Sequence, residues 1–200
     1  MRQLRDADET RLKLSFNIPV SILDDLTFTD TLSDRVREAR LDPGDFVLEL
    51  TESGIQGEIA ATLESLTRLR MAGFGVSIDD FGTGVSNLER LQLLPFTELK
   101  IDKSFMLSAA RDSFSRACVD ASIRLAKELS LEVVAEGIET QTELAIARES
   151  GADMGQGYLF GRPMPFEELV RLAEFHRSQP FRLPVRTSGH ACAAERRTAT

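Results

Sequence analysis

Five short segments of this chain alternate apolar and polar residues with a period of two, and all five end with a polar side chain on the same face. Leu12, Leu14 and Phe16 oppose Lys13, Ser15 and Asn17; Phe46, Leu48 and Leu50 oppose Val47 and Glu49. Phe74, Val76 and Ile78 oppose Gly75, Ser77 and Asp79; Leu99 and Ile101 oppose Glu98 and Lys100; Leu131, Val133 and Ala135 oppose Glu132, Val134 and Glu136. A period of two is the pattern of a half-buried strand. Each segment offers one face that a helix layer can cover, and an opposite face that ends in Asn17, Glu49, Asp79, Lys100 or Glu136.

The stretches between these strands have helical spacing. Leu32, Val36 and Ala39 share a face over residues 30–40, and Pro43-Gly44 is a turn. Residues 55–71 are amphipathic on Ile55, Ile59, Leu63, Leu66 and Leu69, with Gly73 as the stop. Leu88, Leu91 and Leu94 predict a short helix closed by Pro95, and a longer helix, with Cys118 and Leu125 among its apolar residues, covers about 114–129. Thr140-Gln141-Thr142-Glu143 is a capping box whose helix stops at Gly151. A short strand follows near 152–156, and Pro165 opens a last helix to about His176. Strand and helix alternating in this way require a parallel sheet with crossover helices.

A parallel sheet closes into a barrel or stays open and doubly wound. The open form needs apolar residues on both faces. Neither GxGxxG nor GxxxxGK follows the first strand, which removes the phosphate cradles typical of open nucleotide-binding sheets. A barrel accepts polar residues at the top of its interior, where the active sites of such folds lie. The expected fold is therefore α/β, of the (β/α)8 barrel type.

At 200 residues the chain is long enough for one sizeable core. Its net charge of −8 is unevenly spread. Five Arg and one Glu fall at or after Arg177, leaving residues 1–176 with 19 basic and 31 acidic side chains. A body so acidic argues against binding a nucleic-acid duplex and suits a protein that gathers cations. Cys118 and Cys192 lie far apart without metal-ligand spacing. The opening MRQLRDADETRLKL lacks an apolar core of signal-peptide length, and no run reaches membrane-spanning length, so a cytoplasmic protein with no membrane partner is expected.

The third strand ends in Asp79-Asp80, followed by a loop with Gly82 and Gly84. Adjacent carboxylates repel each other unless a cation lies between them or one is protonated. Asn17, Glu49, Asp79, Asp80 and Glu136 offer oxygen donors only, which suits Mg2+ or Mn2+ rather than Zn2+. Lys100 among them would offset the charge and hold a nucleophilic water or a substrate oxygen. Such a set fits phosphodiester hydrolysis on two cations. It equally fits proton abstraction beside a carboxylate, with Lys as base and Mg2+ on the enediolate. The residues alone leave both chemistries open.

Six motifs in order carry a resemblance: Phe16-Asn17, Glu49-Leu50-Thr51-Glu52-Ser53, Asp79-Asp80-Phe81-Gly82-Thr83-Gly84, Leu99-Lys100-Ile101-Asp102-Lys103-Ser104-Phe105, Ala135-Glu136-Gly137-Ile138-Glu139-Thr140 and Gln156-Gly157-Tyr158-Leu159-Phe160-Gly161-Arg162-Pro163. Over about residues 12–170 the chain resembles the EAL-domain family, the cyclic di-GMP phosphodiesterases of bacterial signalling. The resemblance implies a modified (β/α)8 barrel that uses two Mg2+ or Mn2+ ions and hydrolyses cyclic di-GMP to linear pGpG. It implies metal-ligand roles for Asn17, Glu49, Asp79 and Asp80. Lys100 would stand beside the nucleophilic water, and Glu136 would be a ligand or general base. Glu139 and Gln156 would lie near the metals and substrate, and Glu52 would anchor the Asp80–Gly84 loop. Cyclic di-GMP would be the partner, together with a second copy or a sensor or regulatory chain.

The sequence also departs from the family. The Glu-Ala-Leu segment, whose glutamate is a metal ligand, belongs on an earlier strand, and none of the sixteen residues before Asn17 forms it. Ile18-Pro19 replaces the family's usual Leu-Ser. The expectation is therefore a barrel domain over residues 1–176 lacking its N-terminal part, with about six of eight strands, and a disordered tail over 177–200. A degenerate, non-catalytic module that binds cyclic di-GMP or a protein is the alternative to the enzyme.

Overall fold

The structure, a computed structural model, describes residues 12–55, 59–82 and 88–178. Six parallel strands follow one another in sequence order across one sheet: β1 (Leu14–Asn17), β2 (Phe46–Thr51), β3 (Gly75–Phe81), β4 (Glu98–Ile101), β5 (Glu132–Ala135) and β6 (Met154–Gly155). Neighbours in space are neighbours in sequence, so every crossover is short and runs on one side of the sheet. The helices are α1 (Phe28–Glu38), α2 (Ile59–Met71), α3 (Leu88–Leu93), α4 (Lys103–Ala109), α5 (Ser113–Glu128), α6 (Gln141–Ser150) and α7 (Phe166–Ser178). The sheet curls as a half-barrel, and the side chain of Lys13, ahead of β1, reaches Glu132 of β5 across the concave side.

The core lies between the convex face of the sheet and the helices. Leu48, Leu50, Val76 and Leu99 are fully buried there, with Phe74 just ahead of β3, packed against Leu66 and Leu69 of α2 and Val119 of α5. These are the apolar positions of the period-two pattern. The concave face carries the polar phase, and Glu49, Ser77, Asp79, Glu98 and Lys100 are all buried there. β4 has the expected bounds, Glu98–Ile101. The capping box at Thr140 forms, with the hydroxyl accepting from the Glu143 amide and the Glu143 carboxylate accepting from the Thr140 amide. Gly151 ends α6 at a φ of 92°, where a side chain would be strained.

The structure corrects several sequence expectations. β1 begins at Leu14, two residues after Leu12. A 3-10 turn, Val20–Asp24, precedes α1. Ile55 is buried but stands ahead of α2 rather than on its face, and residues 56–58 lie outside the described residues. Helix α4 was not expected: Asp102 caps it through the Ser104 amide, and Met106 and Ala109 bury beneath it. Only seven residues long, it lacks the repeated apolar face that marks a helix in sequence. Helix α7 runs to Ser178, two residues past His176, and the rest of the expected tail, 179–200, lies outside the described residues. No described helix is long and apolar enough to cross a membrane.

Candidate active site

The strand register explains how the polar residues meet. Asn17 pairs laterally with Glu49, and Glu49 with Ser77. Lateral partners share a face, so Asn17 and Glu49 present the same side to the concave surface. Strict alternation then turns Asp80 away from Asp79. A β-bulge prevents this. Ile78 pairs with Leu99 and Phe81 with Ile101, so three steps along β3 match two along β4. The extra residue is taken up at Asp79-Asp80, where Asp80 has a φ of 58°. A bulge re-aims a side chain. Carboxylate oxygens of Asp79, Asp80 and Glu136 consequently lie within 4.8 Å of one another. Phe81 returns to the core, 4% exposed.

Lys100 is the centre of the cluster. Its ammonium lies 2.7 Å from Glu136 Oε1, 2.9 Å from Glu49 Oε2 and 3.3 Å from Asp79 Oδ1, and the residue is 4% exposed. Burial works against the charge, but hydrogen bonds to Glu136 and Glu49 outweigh it, and the amine is held above the ordinary lysine value. Lys100 thus places its positive charge among the carboxylates. Burial raises the Glu136 pKa, against the opposing pull of Lys100. Burial also raises that of Asp80, followed by repulsion from Asp79 and Asp102. One ammonium does not neutralise four carboxylates, and that excess of negative oxygen fits a divalent cation. The donors are all oxygen, as Mg2+ and Mn2+ prefer.

The backbone fixes these groups. The Asp80 amide donates to Asp79 Oδ1 at 3.0 Å, and the Gly82 amide donates to Glu52 Oε2 at 3.2 Å. Glu52 therefore holds the chain just after the bulge. Residues 83–87 of that loop lie outside the described residues. The Glu136 amide donates to the Ile101 carbonyl at 3.0 Å, extending the β5 ladder by one residue past the strand. Gly137 follows at a φ of 66°, and a Cβ there would stand 2.2 Å from Lys103 Cβ. Only glycine lets the Glu136 turn lie against the start of α4.

The remaining expected residues are placed less centrally. Asn17 is exposed at the tip of β1. Gln156 bonds through its backbone to Ala135 and Ile138, and it lines a concave-face cavity of about 360 Å3 together with Lys13, Ser15, Glu49, Glu98 and Lys100. Glu139 is exposed, and its amide donates to Glu143 at 2.8 Å, which makes it part of the α6 cap. Two acids near the site were not singled out from sequence. Asp102 acts electrostatically on Asp80 while capping α4, a role signalled by its place before Lys103-Ser104. Glu98, two residues before Lys100 in the same phase, is 4% exposed, and burial raises its pKa.

A curled parallel sheet, with its helices outside and a carboxylate–lysine cluster at the C-terminal ends of its strands, is a barrel-type architecture with its polar cluster at the end where such folds carry their sites. The chain belongs to the EAL domain family, whose profile matches residues 1–163. It is 38% identical over 91% of its length to the cyclic di-GMP phosphodiesterase NbdA of Pseudomonas aeruginosa, and spans 24% of that relative's length. Among solved structures it resembles the PaMucR phosphodiesterase in complex with c-di-GMP, with a TM-score of 0.77 and 37% identity, covering 84% of this chain and 69% of that one. It also resembles the manganese/cyclic di-GMP complex of Klebsiella pneumoniae BlrP1, with a TM-score of 0.74 and 28% identity, covering 80% of this chain and 41% of that one.

Proposed function

We propose that this chain hydrolyses one phosphodiester bond of cyclic di-GMP, giving linear pGpG, with Mg2+ or Mn2+ held by its strand-end carboxylates. The observation that carries the reading is the Lys100 ammonium within 3.3 Å of Glu49, Asp79 and Glu136, beside the Asp79–Asp80–Glu136 cluster. Asn17, Glu49, Asp79, Asp80 and Glu136 would hold two cations. When bound, these cations lower the pKa of water and stabilise the attacking and leaving oxygens. Lys100 would hold the water oxygen or a phosphoryl oxygen as a hydrogen-bond donor. Glu136, its basicity raised by burial, is suited to accept a proton from the attacking water. Glu52 would keep the Asp80 turn in place through Gly82. Gln156, on the cavity wall, and Glu139, beyond Glu136, would face the dinucleotide. The reading carries with it a cytoplasmic location, and a second copy or a sensor or regulatory chain as a further partner.

A specific observation favours a second reading, a module that binds the dinucleotide without cleaving it. Among the described residues β1 and β6 are the outer strands of the sheet, and Leu14 and Met154 on them are 44% and 38% exposed. One assay separates the two. The full chain is incubated with cyclic di-GMP and Mn2+ or Mg2+, alongside Asp79→Ala. Formation of pGpG that disappears in the variant supports hydrolysis; binding without turnover in the native chain supports the module.

A further inference from the structure

The fourth motif continues past Lys100 into Lys103-Ser104-Phe105, residues to which the preceding reading gives no part. They form the first turn of α4, the short helix that Asp102 caps. This turn touches both of the backbone turns that follow carboxylates of the cluster. Two residues after Asp80, Gly82 meets the Phe105 ring: a Cβ at residue 82 would stand 3.1 Å from Cε2, 3.1 Å from Cζ and 3.6 Å from Cε1. These three atoms are the end of the ring, so its tip points at the Gly82 backbone. One residue after Glu136, Gly137 meets Lys103, and a Cβ at residue 137 would stand 3.0 Å from the Lys103 Cα. Phe105 is itself half-buried against the apolar core, and its neighbour Met106 is fully buried.

The start of α4 is therefore a spacer between the Asp80 turn and the Glu136 turn. Its width enters the separation of their carboxylates, whose oxygens lie within 4.8 Å of each other and of Asp79. The two turns are not equally secured. The Glu136 amide extends the β5 ladder through the Ile101 carbonyl. At Asp80 the bulge interrupts the pairing of β3 with β4, which resumes at Phe81 and Ile101. Just beyond it, Glu52 holds the Gly82 amide at 3.2 Å, and the Phe105 ring fills the space on the α4 side of the same residue. We propose that Phe105 is a positioning residue for the divalent cation: its ring seats the Asp80 turn, and so keeps the Asp80 carboxylate in reach of Asp79 and Glu136. It acts through Asp80. The inference rests on the proposed reading of the strand tips as cation ligands.

The probe is Mn2+ alone, added to the full chain and followed by the electron paramagnetic resonance of the free ion. Phe105→Leu keeps an apolar side chain that ends short of the ring tip and leaves the Gly82 turn unsupported. It should weaken Mn2+ binding by about tenfold, the usual effect of removing a group that orients a metal ligand. Phe105→Tyr keeps the ring but drives an oxygen into the Gly82 backbone, and should weaken binding by a similar factor; it carries the test if the leucine chain does not fold. Phe105→Met, apolar like leucine but unbranched and long enough to reach residue 82, should stay within about threefold of native. A double-mutant cycle separates positioning from packing: in an Asp80→Ala background, Phe105→Leu should cost no further Mn2+ affinity. Native affinity in both Phe105→Leu and Phe105→Tyr overturns the role while leaving the cation site standing. So does a Phe105→Met chain as weak as Phe105→Leu, or the full loss repeated in the Asp80→Ala background. A native chain that binds no Mn2+ overturns the site reading, and the role of Phe105 with it.

Discussion

Lys100→Met removes the one cation from a buried carboxylate cluster while keeping a similar side-chain length. In the native chain the ammonium is 4% exposed and stands within 3.3 Å of Glu49, Asp79 and Glu136. Taking away one partner of a buried ionic group costs about 3–5 kcal/mol, because the charges left behind have neither water nor a counter-ion. Protonation relieves part of this, since burial already raises the pKa of Glu136, so about 3 kcal/mol is the expected loss near neutral pH. A divalent cation supplies positive charge at the same place. Mn2+ at a hundred times its dissociation constant stabilises the folded state by about 2.7 kcal/mol, and should restore most of the variant's deficit. The assay is urea unfolding of native chain and variant, each with chelator and with Mn2+. A variant as stable as the native chain in chelator would refute the electrostatic account. A variant destabilised as expected but indifferent to Mn2+ would refute the placing of a cation among these carboxylates.

Three further outcomes follow from the geometry. Gly137→Ala places a Cβ 2.2 Å from Lys103 Cβ at a φ of 66°, so it should destabilise the fold by about 2–4 kcal/mol, read by thermal unfolding, whereas Gly151→Ala, whose nearest contact is 4.0 Å away, should cost about 1–2 kcal/mol from its conformation alone. Glu52→Ala frees the Gly82 amide beside the Asp79–Asp80 bulge; it should lower turnover of cyclic di-GMP by about tenfold while costing about 1 kcal/mol of stability, and a variant turning over at the native rate would contradict the anchoring role. Asp153 gives a pH signature. Burial tends to raise its pKa, but Lys127 and the Val133 amide, donating at 2.8 Å, outweigh that and hold it below the ordinary aspartate value. A lowered folded pKa contributes stability above the unfolded value of about 3.9 and loses it as pH falls, so the stability gap between native chain and Asp153→Asn should be constant near neutrality and shrink below about pH 4.

The alternation of five segments carried most of the fold because it has a single physical source: one sheet face must bury against helices, and the other must be polar wherever a site lies on it. It found the bounds of β4 and the inward phase of Glu49, Asp79 and Lys100. It was blind to what breaks alternation. The bulge at Asp79-Asp80, which brings Asp80 to the side of Asp79, is a property of the pairing between β3 and β4 and has no local signature beyond two acids before a glycine. Helix α4 escaped because about two turns hold too few residues to show a period. The Lys13–Glu132 contact joins residues 119 apart and becomes visible only when the sheet curls. Glu98 was seen as polar and inward, but its burial comes from the enclosing strands rather than from its own neighbours in sequence.

The most direct test of the account is the fate of water oxygen. Full-length chain is incubated with cyclic di-GMP and Mn2+ in 18O-enriched water, and the product is analysed by mass spectrometry. Cation-assisted hydrolysis predicts linear pGpG with one 18O in its terminal phosphate, no product in excess chelator and none with Asp79→Ala. Intact cyclic di-GMP after prolonged incubation with Mn2+, or product formed equally well in chelator, would contradict it.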